Sequence, residues 1–279
     1  MNGSASGSWS VSLGRWGGVE VRLHLHFPLL VLAGLLAVQW SARFRVVDRY
    51  HEGGLGLGQF TYGGVAFGLA VLLASVVLHE MGRLVVSRRV GGRTTLIVLG
   101  PTGGWAQPSL PADPPAHLVT ALVGPVIYLT LAVSAACILA LHGQNDVLPL
   151  LSLTPQFEPN VTPVHYLAQL TVWINFWLLL VNLLPIYPCD GAELLRGMLW
   201  PLVGRPSAAA ALAHIAFGAA AATLVLSIIL RDNWIAPGAP AWFPLALLSV
   251  LLIYGGNRSS RQRQYDVGLD IDEFDSDDE

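Results

Sequence analysis

The sequence predicts an all-α, polytopic membrane protein of about six spanning helices, with a small membrane-associated β-sheet and a re-entrant hairpin. Three observations carry that expectation. Apolar residues make up 53% of the 279 positions and charged residues only 12%, and the mean hydropathy is +0.57. The apolar residues gather into runs that approach or exceed the ~20 needed to cross a bilayer. Between two such runs lies Thr94–Gln107, TTLIVLGPTGGWAQ, which is β-branched, interrupted by Gly and Pro, and too short to cross. The net charge of −3, with all 15 basic residues arginine, provides no basic surface for nucleic acid. Two cysteines, Cys137 and Cys189, sit in or beside apolar runs and make no disulfide framework.

In chain order, residues 1–8 are small and polar and are expected to be disordered, with no cleavable signal peptide visible. A membrane domain is expected over residues 9–256. It opens with strand-like sequence over 9–27, where Val19, Val21, Leu23, Leu25 and Phe27 alternate with Glu20, Arg22, His24 and His26. Phe27–Trp40 is the first expected span and Val65–Val90 the second. The hairpin 94–107 follows; non-helical backbone at that depth survives only when protein buries it or it lines a wet cavity. Leu118–Leu141 and Val164–Leu184 are the third and fourth spans, and residues 142–163 form the polar loop between them. Ala208–Leu230 and Pro240–Tyr254 are the fifth and sixth. The tail over 257–279 turns from basic (Arg258, Arg261, Arg263) to acidic (DIDEFDSDDE), the composition of disorder.

Arginine placement orients the chain. With both termini cytoplasmic, Arg15, Arg22, Arg88, Arg89, Arg93, Arg196, Arg205, Arg258, Arg261 and Arg263 lie inside, whereas Arg43, Arg45, Arg49 and Arg231 lie outside. The 43–49 cluster runs against this bias.

The second span places His79 and Glu80 at membrane depth, where ionisable side chains are costly and mark function. His79 and Arg83 are i and i+4 on one helix face, with Glu80 beside them. An H-E-x-x-H helix uses this spacing for two zinc-binding histidines and a general base. The sequence here is His79-Glu80-Met81-Gly82-Arg83, with arginine at the second histidine position. Further along, Asp190 follows two prolines and precedes Gly191, residues that break the helix and let the backbone aim a carboxylate inward.

The order of these features resembles the site-2 proteases, intramembrane zinc metallopeptidases of the M50 type. The resemblance rests on His79-Glu80, Leu99-Gly100 with Gly103-Gly104, Gly124-Pro125, and Asn182-Leu-Leu-Pro185 followed by Asp190-Gly191. The opening Leu13–Phe27 adds to it, and it covers most of the chain up to about Arg196. It implies that His79 is a zinc ligand, Glu80 the general base, Asp190 a further ligand, and Asn182 the asparagine that opens the second motif. It also implies zinc as cofactor, and the transmembrane helices of other proteins in the same lipid bilayer as partners. The chain departs from the pattern at Arg83, at Tyr128, where asparagine is usual, and at Ala192 and Glu193, where Gly-Arg is common.

Arginine stays protonated and has no lone pair for a metal. Two functional classes therefore stand side by side: an intramembrane metallopeptidase with non-standard ligation, and a pseudoprotease that binds membrane helices without cutting them. A transporter is a third reading, which lacks paired broken helices. Arg83 either reaches the headgroups or turns inward to pair with Glu80 or Asp190. His24, His26 and Cys189 are the candidate substitute ligands; otherwise they are interfacial histidines and a small apolar residue. Without a metal, His79-Glu80 is a polar pair at a helix end, and Asp190 an N-cap.

Overall fold

The computed structural model describes residues 10–44, 62–100, 103–104, 108–152, 155, 157–158, 161–232, 234–236, 239–240 and 242–276. The chain divides into two compact units, Met1–Pro111 with Val123–Asn182, and Ala112–Leu122 with Leu183–Glu279.

The first unit opens with a hairpin of β1 (Ser10–Trp16) and β2 (Val19–His24). It turns at Gly17 and Gly18, both at positive φ, which glycine adopts without steric cost. The strand expected over 9–27 is therefore two strands. Helix α1 (His26–Phe44) begins before Phe27, so the period-two pattern ends earlier than the residue types suggest. Strand β3 (Leu96–Gly100) lies parallel to β2, with Glu20, Val21, Arg22 and Leu23 opposite Leu96, Ile97, Val98 and Leu99. Parallel neighbours need a long crossover, and the chain between them carries α1 and α2 (Tyr62–Arg89). Strand β4 (Gly103–Gly104) closes the expected hairpin against β3, giving the sheet order β1-β2-β3-β4. Val19, Val21, Ile97 and Leu99 form the buried face and pack on Val76 and Leu84 of α2.

Helix α2 buries Ser75, Val76, His79, Glu80, Arg83, Leu84 and Ser87, a stripe at helical spacing. Phe67, Leu73, Leu78 and Val85 are exposed on its other faces. Polar residues inside and apolar residues outside is the arrangement a bilayer requires. Helix α3 (Pro114–Leu141) contributes to both units. Helix α4 (Pro163–Asn182) packs on α2 and buries Gln169, Asn175 and Asn182. A short 3-10 turn, Leu148–Leu151, lies in the polar loop between α3 and α4.

The second unit holds α5 (Asp190–Val203), α6 (Arg205–Ile229), a small β5–β6 hairpin (Trp234–Ala236, Ala239–Pro240) and α7 (Trp242–Ser276). Ala216 and Ala220 of α6 meet Leu252 of α7 and Ile186 and Cys189 of the loop before α5. Small residues of this kind let membrane helices approach closely.

Among the described residues, four helices are long and apolar enough to cross a membrane: Tyr62–Arg89, Pro114–Leu141, Pro163–Asn182 and Arg205–Ile229. Of the expected count of about six, these four are met among the described residues. The apolar stretch of α1 is only His26–Leu36, roughly half the ~20 residues a span requires. The apolar part of α7 ends near Tyr254, and its charged remainder leaves the helix outside the four. The tail from 257 is the segment expected to be disordered. Its backbone continues α7 as helix through Ser276, over a sequence without proline after Pro244. Residues 1–8 lie outside the described residues.

Candidate metal centre

The first unit assembles the motif from α2, α3, α4 and the hairpin. His79 is fully buried, and its Nε2 lies 3.3 Å from Oε1 of Glu80. Arg83 Nη1 lies 3.7 Å from that same oxygen. Arg83 is only 6% exposed, so it turns inward rather than reaching the headgroups. Gly82 makes room for α3, since a Cβ there would collide with the Ile127 side chain and come within 2.9 Å of Val123. That approach brings the Tyr128 ring over His79, with centroids 4.8 Å apart. Gly103, at φ +145°, passes its backbone along the same site. A Cβ there would stand 3.3 Å from Asn182 Oδ1 and 3.9 Å from His79 Nε2. Asn182 itself donates from Nδ2 to the Leu178 carbonyl at 2.9 Å. His79, Glu80, Arg83 and Asn182 are thus brought together, along with Tyr128, which the sequence showed only as a departure from a motif.

Asp190 and Cys189 belong to the second unit. Asp190, 2% exposed, is the first residue of α5, and Cys189 occupies the N-cap position without a side-chain cap bond. The N-cap reading of Asp190 is corrected accordingly. Gly191 is required next to it, because a Cβ would collide with the Leu183 carbonyl. Burial, reinforced by the Asp190 charge, pushes the Cys189 thiol up to about 12. The thiolate, the form that binds metal, is correspondingly disfavoured.

Sequence reasoning missed a second buried cluster in this unit. Glu193 accepts a 2.7 Å hydrogen bond from the Tyr187 hydroxyl on one oxygen. Its other oxygen lies 3.2 Å from His117 Nδ1 and 3.8 Å from Arg196 Nη1. Burial alone would raise the Glu193 pKa. The bond to His117, the Arg196 charge and the Tyr187 bond outweigh it and hold the carboxyl below its ordinary value. Burial raises the Tyr187 hydroxyl well above its ordinary value. The cluster ties the loop entering Asp190 to α5 and to the first turns of α3. Its signal in the sequence was Glu193 standing where arginine is common.

A catalytic zinc takes about three protein ligands and an open position. The α2 face supplies one imidazole and, one turn on, a guanidinium that cannot donate to a metal. Among the described residues, no three His, Cys, Asp or Glu side chains gather closely enough to hold a metal ion. His24 and His26 face each other at the β2–α1 junction, ring centroids 4.4 Å apart. The α2 face by itself therefore does not complete a three-ligand zinc site.

A His-Glu pair buried on a spanning helix, beside a short sheet and a glycine-rich hairpin, defines a protein of the intramembrane metallopeptidase type. Peptidase family M50 matches residues 67–226, and the chain belongs to that family. Its fold is that of a site-2 protease. The solved site-2 protease from Methanocaldococcus jannaschii superposes with a TM-score of 0.56 at 21% identity, covering 90% of this chain and 95% of that one. A zinc metalloprotease of Methanocaldococcus jannaschii is 23% identical over 257 residues, covering 91% of this chain and 61% of that protein. Rip3 of Mycobacterium tuberculosis is 31% identical over 193 residues, covering 68% of this chain and 44% of Rip3. The chain therefore spans less than two thirds of the length of these curated relatives.

Proposed function

We propose that this member of family M50 is a pseudoprotease: it binds transmembrane helices of other membrane proteins without a zinc ion and without cutting them. The observation that carries the reading is Arg83, buried and 3.7 Å from the Glu80 carboxylate. In an active site of this type a carboxylate takes a proton from metal-bound water. Here a guanidinium lies against that carboxylate, and the helix face lacks its second imidazole. What remains is the scaffold: apolar spanning helices and a hairpin edge against which an extended segment can pair. The bilayer and the helices within it are the proposed partners, and both termini are proposed to be cytoplasmic.

The reading is tested by reconstituting the full chain with a single-span membrane protein and added zinc. The expected result is photo-crosslinking to the span without cleavage, the same for the unaltered protein and for E80Q. Cleavage by the unaltered protein that is lost in E80Q contradicts the proposal, and would favour a metallopeptidase with non-standard ligation.

A further inference from the structure

We infer that α6 carries a docking face for a transmembrane helix of another protein, one that presents a hydroxyl or amide donor at mid-depth; the class of partner rests on the reading above. Helix α6 runs from Arg205 to Ile229 and is long and apolar enough to cross the membrane. His214 lies about 14 Å along its axis from Arg205, at 1.5 Å per residue. That is deep within a hydrocarbon core of roughly 30 Å. The helix buries Leu212, Ala216 and Ala220. His214 stands on the opposite side and is exposed. An ionisable side chain at that depth, turned away from its own protein, calls for a partner.

The hydrogen bonding of the ring sets the chemistry of that partner. His214 Nδ1 lies 2.7 Å from the Ala210 carbonyl, one turn earlier. A carbonyl only accepts, so Nδ1 carries the proton, and Nε2 of the uncharged ring is an acceptor. Among the described residues Nε2 has no hydrogen-bond partner. An acceptor left unpaired in hydrocarbon is costly, and a hydroxyl or amide on a neighbouring span relieves that cost. The surface around the ring lets such a span come close. At helical spacing, Ala211, Gly218, Ala221 and Val225 share the face of His214. A Cβ added at Gly218 meets nothing within 4 Å. Gly218 and Ala222 repeat the small-x-x-x-small spacing of close helix pairs. A second copy of this chain does not supply the donor. A two-fold axis along the membrane normal sets each residue opposite its own depth. Within a turn of His214, this face carries no side-chain donor besides the ring itself.

The test uses the full chain, fluorescently labelled and reconstituted in phosphatidylcholine vesicles. Its probes are labelled leucine–alanine spans that carry one threonine or one valine at mid-length, and energy transfer reports association. The threonine span is expected to bind about threefold more tightly than its valine isostere, the factor for one hydrogen bond between membrane helices. H214L should erase that ratio. G218L, at a position open in the folded chain, should weaken both spans and flatten the ratio by blocking close approach. Equal binding of the two spans by the unaltered protein, or an unchanged ratio in H214L, overturns the assignment. Energy transfer between two labelled copies that G218L abolishes, without a threonine preference, also overturns it and makes the face a contact between copies. Should H214L fail to fold, the ratio in the unaltered protein and its loss in G218L decide. An absent threonine preference leaves crosslinking without cleavage, and so the pseudoprotease reading, untouched. Glu80-dependent cleavage would end that reading and leave the threonine preference in place.

Discussion

In α2 the guanidinium of Arg83 lies 3.7 Å from Oε1 of Glu80, one turn earlier on the same buried face. Each charge offsets the other's burial, so removing one partner is worse than removing both. R83L should destabilise the protein by about 3 kcal/mol or more, and the double variant E80Q/R83L should recover most of that loss. Thermal unfolding in detergent checks this. An R83L protein as stable as the unaltered one would mean that the pair contributes nothing.

Two glycines should respond in opposite ways. G191A forces a Cβ into the Leu183 carbonyl at the turn that presents Asp190, and should cost about 1–3 kcal/mol or abolish folded yield. Gly218 of α6 has nothing within 4 Å of a built Cβ, so G218A should be neutral or slightly stabilising. Folded yield by size-exclusion chromatography separates the two, and equal behaviour would contradict the packing described around Asp190.

Glu193 predicts a pH dependence. Its carboxyl is held below the ordinary value of 4.5 in the folded chain. The stability it contributes is therefore fully present above that value, and is lost as pH falls through the lower folded value. E193Q should lower stability at neutral pH and show a shallower loss in acid than the unaltered protein. Unfolding temperatures measured down an acid series test this; parallel acid slopes would remove Glu193 from the account.

The arginine bias predicts that residues 9 and 279 both face the cytoplasm. Reporter fusions at each end should read cytoplasmic, and opposite locations would reverse the proposed orientation.

What the residues revealed in advance was whatever depends on local spacing. The period of two in Val19, Val21 and Leu23 gave the β2 face, and the β-branched, glycine-broken segment at 94–107 gave the hairpin that pairs with it. The i, i+4 spacing put His79 and Arg83 on one buried stripe. Contacts between distant segments were hidden. His117 and Glu193 are 76 positions apart, and nothing local marks either as the other's partner. Tyr128 over His79 depends on the close approach at Gly82, which residue types alone do not disclose. Four of the expected spans coincide with helices long and apolar enough to cross; helix ends, which delimit them, are not visible in apolar runs alone. The charge of the tail argues against a core, and charge by itself does not prevent a helical backbone.

The central claim is that arginine at the second histidine position has replaced the metal with an ion pair. The most direct test is zinc content, measured by elemental analysis of purified unaltered protein and of R83H, which restores His-Glu-x-x-His on one face of α2. The account predicts no bound zinc in the unaltered protein and stoichiometric zinc in R83H. Stoichiometric, tightly held zinc in the unaltered protein would contradict it.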